Sequence, residues 1–246
     1  MTAFPYALTR PVVFRSQGKI TVCSISGLCH RFDPAANMWR SDGLMMMKQR
    51  DGAATLQLNM EDYWITGGYA EDATTLADSE IFVGSRGEFI PGPDLPQDHR
   101  FHCLVAVNAS HVIGLGGLTG FLMETATNEF TQMNGLPQKY NYYPACLVYK
   151  FNEEKRLVVA YNQTADIYSF ATGIWNSAGL SLPRKFIRGA SVPYLDGLLM
   201  MGGQNSSTVT EFNARTETFT AWTRTLDTRR KSHSALLATN DEMNCH

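Results

Sequence analysis

Short apolar runs alternate with turn residues along the whole chain, and no window keeps a helical period over the length that a globular helix needs. Three of these runs end in a glycine doublet: Ile65-Thr66-Gly67-Gly68, Gly114-Leu115-Gly116-Gly117 and Met200-Met201-Gly202-Gly203. Each is preceded by a turn sequence, as at Asn59-Met60-Glu61-Asp62, Asn108-Ala109-Ser110-His111 and Leu195-Asp196-Gly197. The first two doublets lie 49 residues apart and the next interval is 86, about two periods. A drifted copy fills that gap at Val158-Val159-Ala160-Tyr161-Asn162-Gln163, and Ile20 to Gly27 fills the same slot at the start.

Other marks keep this phase. A head residue stands upstream of each slot: Arg10, Arg50, Arg100, Tyr142, Arg188 and Arg230. Downstream, a strand-like segment leads through a turn to an aromatic, as in Cys29-His30-Arg31-Phe32 to Trp39, Ile167-Tyr168 to Trp175, and Glu211-Phe212 to Phe219. Weaker copies run from Ile81 to Phe89 and from Met123 to Phe130. Each unit therefore predicts four short strands, a to d, and an all-β chain. One four-stranded sheet cannot bury both faces alone, so the units must stack.

Phased in this way, the doublets, aromatics and Arg heads resemble the kelch repeat over roughly residues 10 to 239. The resemblance implies a kelch-type β-propeller in a single domain, with five four-stranded blades over approximately 10–49, 50–99, 100–141, 142–187 and 188–229. A partial sixth covers 230–246, with one strand over 232–238, and residues 1–9 are candidates for an outer strand. The strand c and d aromatics, Trp included, are expected to fill the wedge between blades. The same resemblance marks the residues after each doublet and near each head as partner contacts: Tyr69, Leu118, Gln163 and Gln204, with Asp51, Phe101 and Tyr143. Arg50, Arg100, Arg188 and Arg230 are read as repeating positions on that face, where b–c and d–a loops emerge together. Arg grips carboxylates bidentately, so an acidic or phosphorylated peptide is the expected ligand. The competing reading has each Arg paired with a neighbouring blade's backbone or Asp.

Composition narrows the function classes. The 246 residues are 44% hydrophobic and 18% charged, with a net charge of -2, so the chain is globular and has no basic footprint for nucleic acid. The most apolar stretch, Cys103 to Leu118, is interrupted by Asn108, Ser110 and His111, which argues against a membrane span. Five cysteines are too few for a disulfide scaffold, and no CxxC is present. Cys23 and Cys29 fall opposite one another if the b–c hairpin turns at Ser26, either as a disulfide or as two half-buried thiols. Cys103 and Cys146 are read as core thiols in one inner-strand slot. Asn-x-Ser/Thr occurs at Asn108, Asn162 and Asn205, about the number that chance supplies. Residues 1–10 do not read as a secretory leader, which suggests the cytoplasm for the chain as it stands, or secretion if the start is incomplete.

Chemical motifs are weak throughout. Gly114 to Gly120 lacks the third glycine and the helix of a dinucleotide loop. His99 and His102 have poor ligand spacing on a strand and are read as a solvent-facing loop residue and a strand-start residue. Met45 to Met47 fall in a d–a connection and stay open between core and surface. The expectation is a non-catalytic protein-binding module without metal or cofactor. The alternatives are a galactose oxidase-like or carbohydrate-processing propeller enzyme, or a fragment of a larger kelch protein.

Overall fold

The computed structural model describes residues 4, 8, 10–133 and 135–236, with the side chains of 177 and 178 left aside. Among them every regular element is a strand, and no helix is long and apolar enough to cross a membrane. The fold is an all-β propeller of five consecutive antiparallel blades. The first comprises β1 (Val12–Ser16), β2 (Lys19–Cys23), β3 (Cys29–Asp33) and β4 (Met38–Arg40). The second comprises β5 (Ala54–Gln57), β6 (Tyr63–Thr66), β7 (Ser79–Val83) and β8 (Glu88–Pro91). The third comprises β9 (Cys103–Asn108), β10 (His111–Gly116), β11 (Thr119–Glu124) and β12 (Glu129–Met133).

The fourth blade is built from β13 (Ala145–Phe151), β14 (Glu154–Ser169) and β15 (Ile174–Phe186). Here β14 supplies both b and c. Its first half pairs with β13 and its second with β15, and the Phe170 N–H donates to the Lys155 carbonyl at 3.2 Å, so the chain folds back on itself. Asn162, at φ 59°, lies at the reversal. The fifth blade comprises β16 (Ala190–Tyr194), β17 (Gly197–Met201), β18 (Val209–Asn213) and β19 (Thr218–Ala221).

The described residues divide into two compact lobes, those up to Arg100 together with 234–236, and those from Phe101 to His233. In the first, Phe14, Ile65 and Phe82 are fully buried in a core with Cys23, Cys29 and Met46. In the second, one core gathers Ile113, Leu115, Tyr140, Leu157 and Val159, and another gathers Val158, Ala160, Leu198, Met200 and Phe212. Alternate residues of β14 thus enter different cores, as the period of two on a strand requires for a blade covered on both faces.

Register aligns the repeat at atomic detail. Phe32 pairs with Trp39, Phe82 with Phe89, Met123 with Phe130, Tyr168 with Trp175, and Phe212 with Phe219 across strands c and d. Ring centroids lie 5.3, 5.2, 5.2 and 4.9 Å apart in the four aromatic pairs. Burial is uneven, which corrects the wedge expectation. Phe32, Phe82 and Phe212 on strand c are buried, whereas Trp39 and Trp175 on strand d are only half-buried. The fully buried indole is Trp64, in strand b, whose Nε1 donates to Ser79 Oγ at 2.7 Å.

Glycines at the end of strand b make one recurring contact. Gly68 N donates to His99 O at 2.8 Å, Gly117 N to Tyr140 O at 2.8 Å and Gly203 N to Arg230 O at 2.9 Å, while Gly27 O accepts from Met46 N at 2.9 Å. In each case the partner lies in the connector leaving strand d. All four glycines are left-handed, with φ of 97°, 62°, 113° and 87°. A methyl group on Gly68 would come within 3.0 Å of the Asp51 carbonyl oxygen, and one on Gly203 within 3.1 Å of that of Ile187.

Two expectations at the ends change. Residues 232–236 carry no strand, so the described part of the partial sixth blade is a connector, with Ser234 Oγ donating to Pro11 O at 2.5 Å. The rest of that strand, the tail with Cys245, and most of the outer strand proposed for residues 1–9 lie outside the described residues.

Two stability outcomes follow in urea unfolding. Phe212→Ala should cost about 3–5 kcal/mol, with Trp39→Ala clearly less because its ring is partly in water. Gly68→Ala and Gly203→Ala should each cost about 1–3 kcal/mol, combining a left-handed backbone with a blocked approach. Gly117→Ala, with open space around its added methyl, should cost less than either.

Candidate functional site

Up-and-down blades send b–c and d–a connections to the same side, so residues around each doublet and each d–a connector share one face within a lobe. In the first lobe, Asp51 and Tyr69 close that edge of the second blade by a two-way backbone pair of 2.9 and 2.7 Å. Arg10 reaches Asp51 at 2.8 Å. Burial pushes the Asp51 carboxyl above its ordinary range, with Arg10 opposing that shift. Arg100 lies over the Tyr69 ring at 4.3 Å, and its Nη1 donates to Thr75 Oγ1 at 3.0 Å. The guanidinium is held on an aromatic face and remains exposed.

Arg50 behaves differently. Only 2% of its side chain meets solvent, and Nε donates to Glu80 Oε1 at 2.5 Å. Nη2 pairs with Asp78 at 2.7 Å, and Nη1 donates to the carbonyls of Gly67 and Asp78, each at 3.0 Å. Its hydrogen bonds are therefore spent inside its own blade, on Gly67, Asp78 and Glu80, and not on a neighbouring one. Asp78 also pairs with Lys48. Burial alone would raise the Asp78 carboxyl, but Lys48 and Arg50 outweigh it and hold the group below the usual carboxylate range.

Strand register shows that the Arg heads are not equivalent. Arg50 stands four residues before its strand a, Arg100 three and Arg188 two. The position that does repeat is the second residue before strand a: Arg10, Gly52, Phe101, Tyr143 and Arg188 all have φ between 51° and 73°. Ser232, two residues after Arg230, has φ 52° and continues the series. Similar charge at dissimilar offsets serves different purposes: Arg50 points into the blade, whereas Arg100 is exposed.

In the second lobe, Phe101 is buried and packs on Tyr143 with centroids 5.0 Å apart. Tyr143 N donates to Phe101 O at 2.8 Å and Ser232 N to Arg188 O at 2.6 Å, so backbone bonds join successive connectors. Arg188 lies over Tyr142 at 4.5 Å. Leu118, Gln163 and Gln204 stand exposed in the b–c turns of the third, fourth and fifth blades, and Arg230 is exposed near its doublet.

The Met run divides by face. Leu28 bridges to Met45, Met46 is buried, and Met45 and Met47 are 56% and 53% exposed. Ile25, in the b–c loop that pairs with this connector, is 49% exposed, so loop and connector together present three large apolar side chains to solvent.

Some residues of this region were missed by sequence reasoning. Glu80 and Asp166 occupy the same slot of strand c, two residues before Phe82 and Tyr168, and both are buried. Asp166 accepts from Tyr140 Oη at 2.8 Å and from Gln138 at 2.5 Å, as Glu80 accepts from Arg50. Burial and the Asp166 charge push the Tyr140 phenol well above its ordinary range. The signal existed in Glu80-Ile81-Phe82 and Asp166-Ile167-Tyr168, an acidic residue at fixed distance from the strand c aromatic. His99, read as solvent-facing, is instead buried at 3%, and His102, just before the start of β9, is buried to the same degree. Burial pushes His99 below its ordinary range, with Asp98 opposing. Among the described residues, no group of three or more His, Cys, Asp or Glu is placed to hold a metal ion.

The two cysteine pairs are joined in the structure. Cys23 and Cys29 are direct partners in the β2–β3 register, with Cα atoms 3.9 Å apart. Cys103 and Cys146, read above as separate thiols in one slot, are bonded across the third and fourth blades with Cα atoms 6.2 Å apart. Register gives the reason. Cys103 opens its strand opposite Leu115, whereas Ala145 opens the next and Cys146 follows it. A one-residue offset turns the two side chains to opposite blade faces, and stacked blades bring those faces together.

No family model matches the chain, and no curated protein sequence matches it either. Among solved structures, one titled "Structure of YjhT" aligns with a TM-score of 0.72 over 90% of this chain and 86% of that one, at 13% identity. That likeness is one of fold, and it agrees with the propeller architecture.

Removing one partner of a buried ion pair leaves the other charge stranded, so Arg50→Ala should cost about 3–5 kcal/mol in urea unfolding. The double change Arg50→Met with Glu80→Leu should recover part of that loss. For Asp78, a depressed folded value means that its contribution is complete above the unfolded value, about 4, and is lost as pH falls through the folded one. The acid limb of the stability profile below about pH 4 should therefore flatten in Asp78→Asn.

Proposed function

We propose that this chain is a non-catalytic, kelch-like recognition propeller that binds a protein or peptide on the face formed by its b–c and d–a loops. The observation that carries the reading is the cluster of Ile25, Met45 and Met47. All three stand about half in solvent at one loop edge, while Met46 between them is buried. Exposed apolar side chains gathered at one edge suit a partner surface, and unbranched Met side chains adapt to its shape. In the same lobe, Arg100 presents its guanidinium from the Tyr69 ring. Together they suit an acidic peptide carrying an apolar anchor, with carboxylates on Arg and the anchor on Met. Kelch character rests on the left-handed glycines at the end of strand b and on the paired positions of strands c and d.

Selection from a displayed peptide library, followed by anisotropy titration of the enriched peptides, tests this. Acidic sequences with a large apolar residue should emerge, and Met45→Glu with Met47→Glu should weaken them by about tenfold or more. Arg100→Ala should weaken acidic peptides more than their amidated versions. Binding untouched by these changes but lost on substituting Leu195, in the a–b turn on the opposite side of its blade, would place the surface elsewhere.

A further inference from the structure

Asn108, Asn162 and Asn205 carry the same acceptor triplet, Asn-x-Ser/Thr, but the fold treats them differently. Asn108 is exposed at the turn between β9 and β10. Its Oδ1 accepts from Ser110 N at 2.8 Å and from Ser110 Oγ at 3.1 Å, contacts that use the oxygen rather than Nδ2. Asn205 is exposed in the loop between β17 and β18, at φ 57°, two residues before Ser207. Asn162 is half-buried at the reversal of β14, its backbone paired with that of buried Phe186 and its Oδ1 shielded from solvent. A branched sugar attached there would have to leave through the packed hairpin.

A second observation bears on the compartment. All four cysteines among the described residues are paired, one pair within a hairpin and the other across two blades at a sequence separation of 43. Protein thiols in the cytosol are kept reduced, and structural disulfides persist in oxidising compartments, where Asn-x-Ser/Thr triplets are also modified. The triplets alone are uninformative, since chance supplies about this many. Beside two disulfides and two exposed turns they become specific.

We propose that the chain matures in an oxidising secretory compartment and carries N-linked glycans on Asn108 and Asn205, but not on Asn162. In the transfer, Asn Nδ2 bonds to the anomeric carbon of a lipid-linked oligosaccharide pyrophosphate. The bond from that carbon to the pyrophosphate oxygen breaks, the pyrophosphate leaves with its electron pair, and the amide proton passes to a base. Disulfide formation needs a thiol–disulfide exchange oxidant, which takes two electrons from each cysteine pair as two protons leave. The inference stands independently of the partner reading, yet it restricts it: a glycan on Asn205 would cover Gln204 and keep a partner off that loop of the fifth blade.

The test uses the protein isolated from the cells that make it. Treatment with an amide-cleaving glycosidase in heavy-oxygen water converts each glycosylated Asn to labelled Asp. Peptide mapping should find the label at positions 108 and 205 and none at 162. Non-reducing maps of the same sample should show Cys23 linked to Cys29 and Cys103 to Cys146. In a eukaryotic secretory host, Asn108→Gln and Asn205→Gln should each raise gel mobility by one step, Ser110→Ala should reproduce the first, and Asn162→Gln should change nothing. Unlabelled Asn108 and Asn205 in the natural protein, or four free thiols there, would overturn the inference. Label at Asn162 would overturn the selection by fold.

Discussion

The architecture depends on a backbone hydrogen bond between a left-handed glycine after strand b and the connector that leaves strand d. It occurs at Gly27 with Met46, Gly68 with His99, Gly117 with Tyr140 and Gly203 with Arg230. Each bond ties the inner edge of a blade to the segment that carries the chain into the next one. A side chain at Gly68 or Gly203 would strike a neighbouring carbonyl, so glycine answers both to φ and to space there. The fourth blade departs from this pattern: Asn162 and Gln163 make a tight reversal, and Asn162 adopts the left-handed conformation that Asn tolerates.

Once the connectors are placed, strand period does the rest. Side chains alternate between two faces, and in the fourth blade each face enters a different core. The aromatics of strands c and d fall opposite one another in register, and the acidic residues two positions earlier point inward and need a donor. Arg50 and Tyr140 provide it from the connectors, for Glu80 and Asp166 respectively. These clasps are weak evidence of net stability, because desolvation offsets much of their attraction. They do fix where a connector lies over its blade. The Cys103–Cys146 bond follows from the same geometry, since a single step of offset decides whether two side chains turn apart or meet.

Function is left to what these constraints do not consume. Arg50 is used up internally, whereas Arg100 rests on an aromatic ring with its charge exposed, and Met45 and Met47 project on either side of buried Met46. A loop face of this kind varies without disturbing the blades, because its backbone bonds are made by the connectors and not by the projecting side chains.

Much of this was legible in the linear pattern. The all-β class, the five blades, the glycine slots and the facing aromatics of strands c and d can all be read from local spacing, because turns and strand alternation are local properties. Arg50 and Arg100 look alike in sequence. Only the register shows them at different offsets, one buried against Glu80 and the other stacked on Tyr69. Likewise Cys103 and Cys146 share a slot in the repeat until strand pairing turns them to opposite faces, and Trp39 matches Phe32 in the pattern although the outer strand leaves it half in water. Offsets of one or two residues are invisible to a repeat that tolerates variable loops, yet on a strand they decide which face a side chain occupies, and long-range pairing alone settles them.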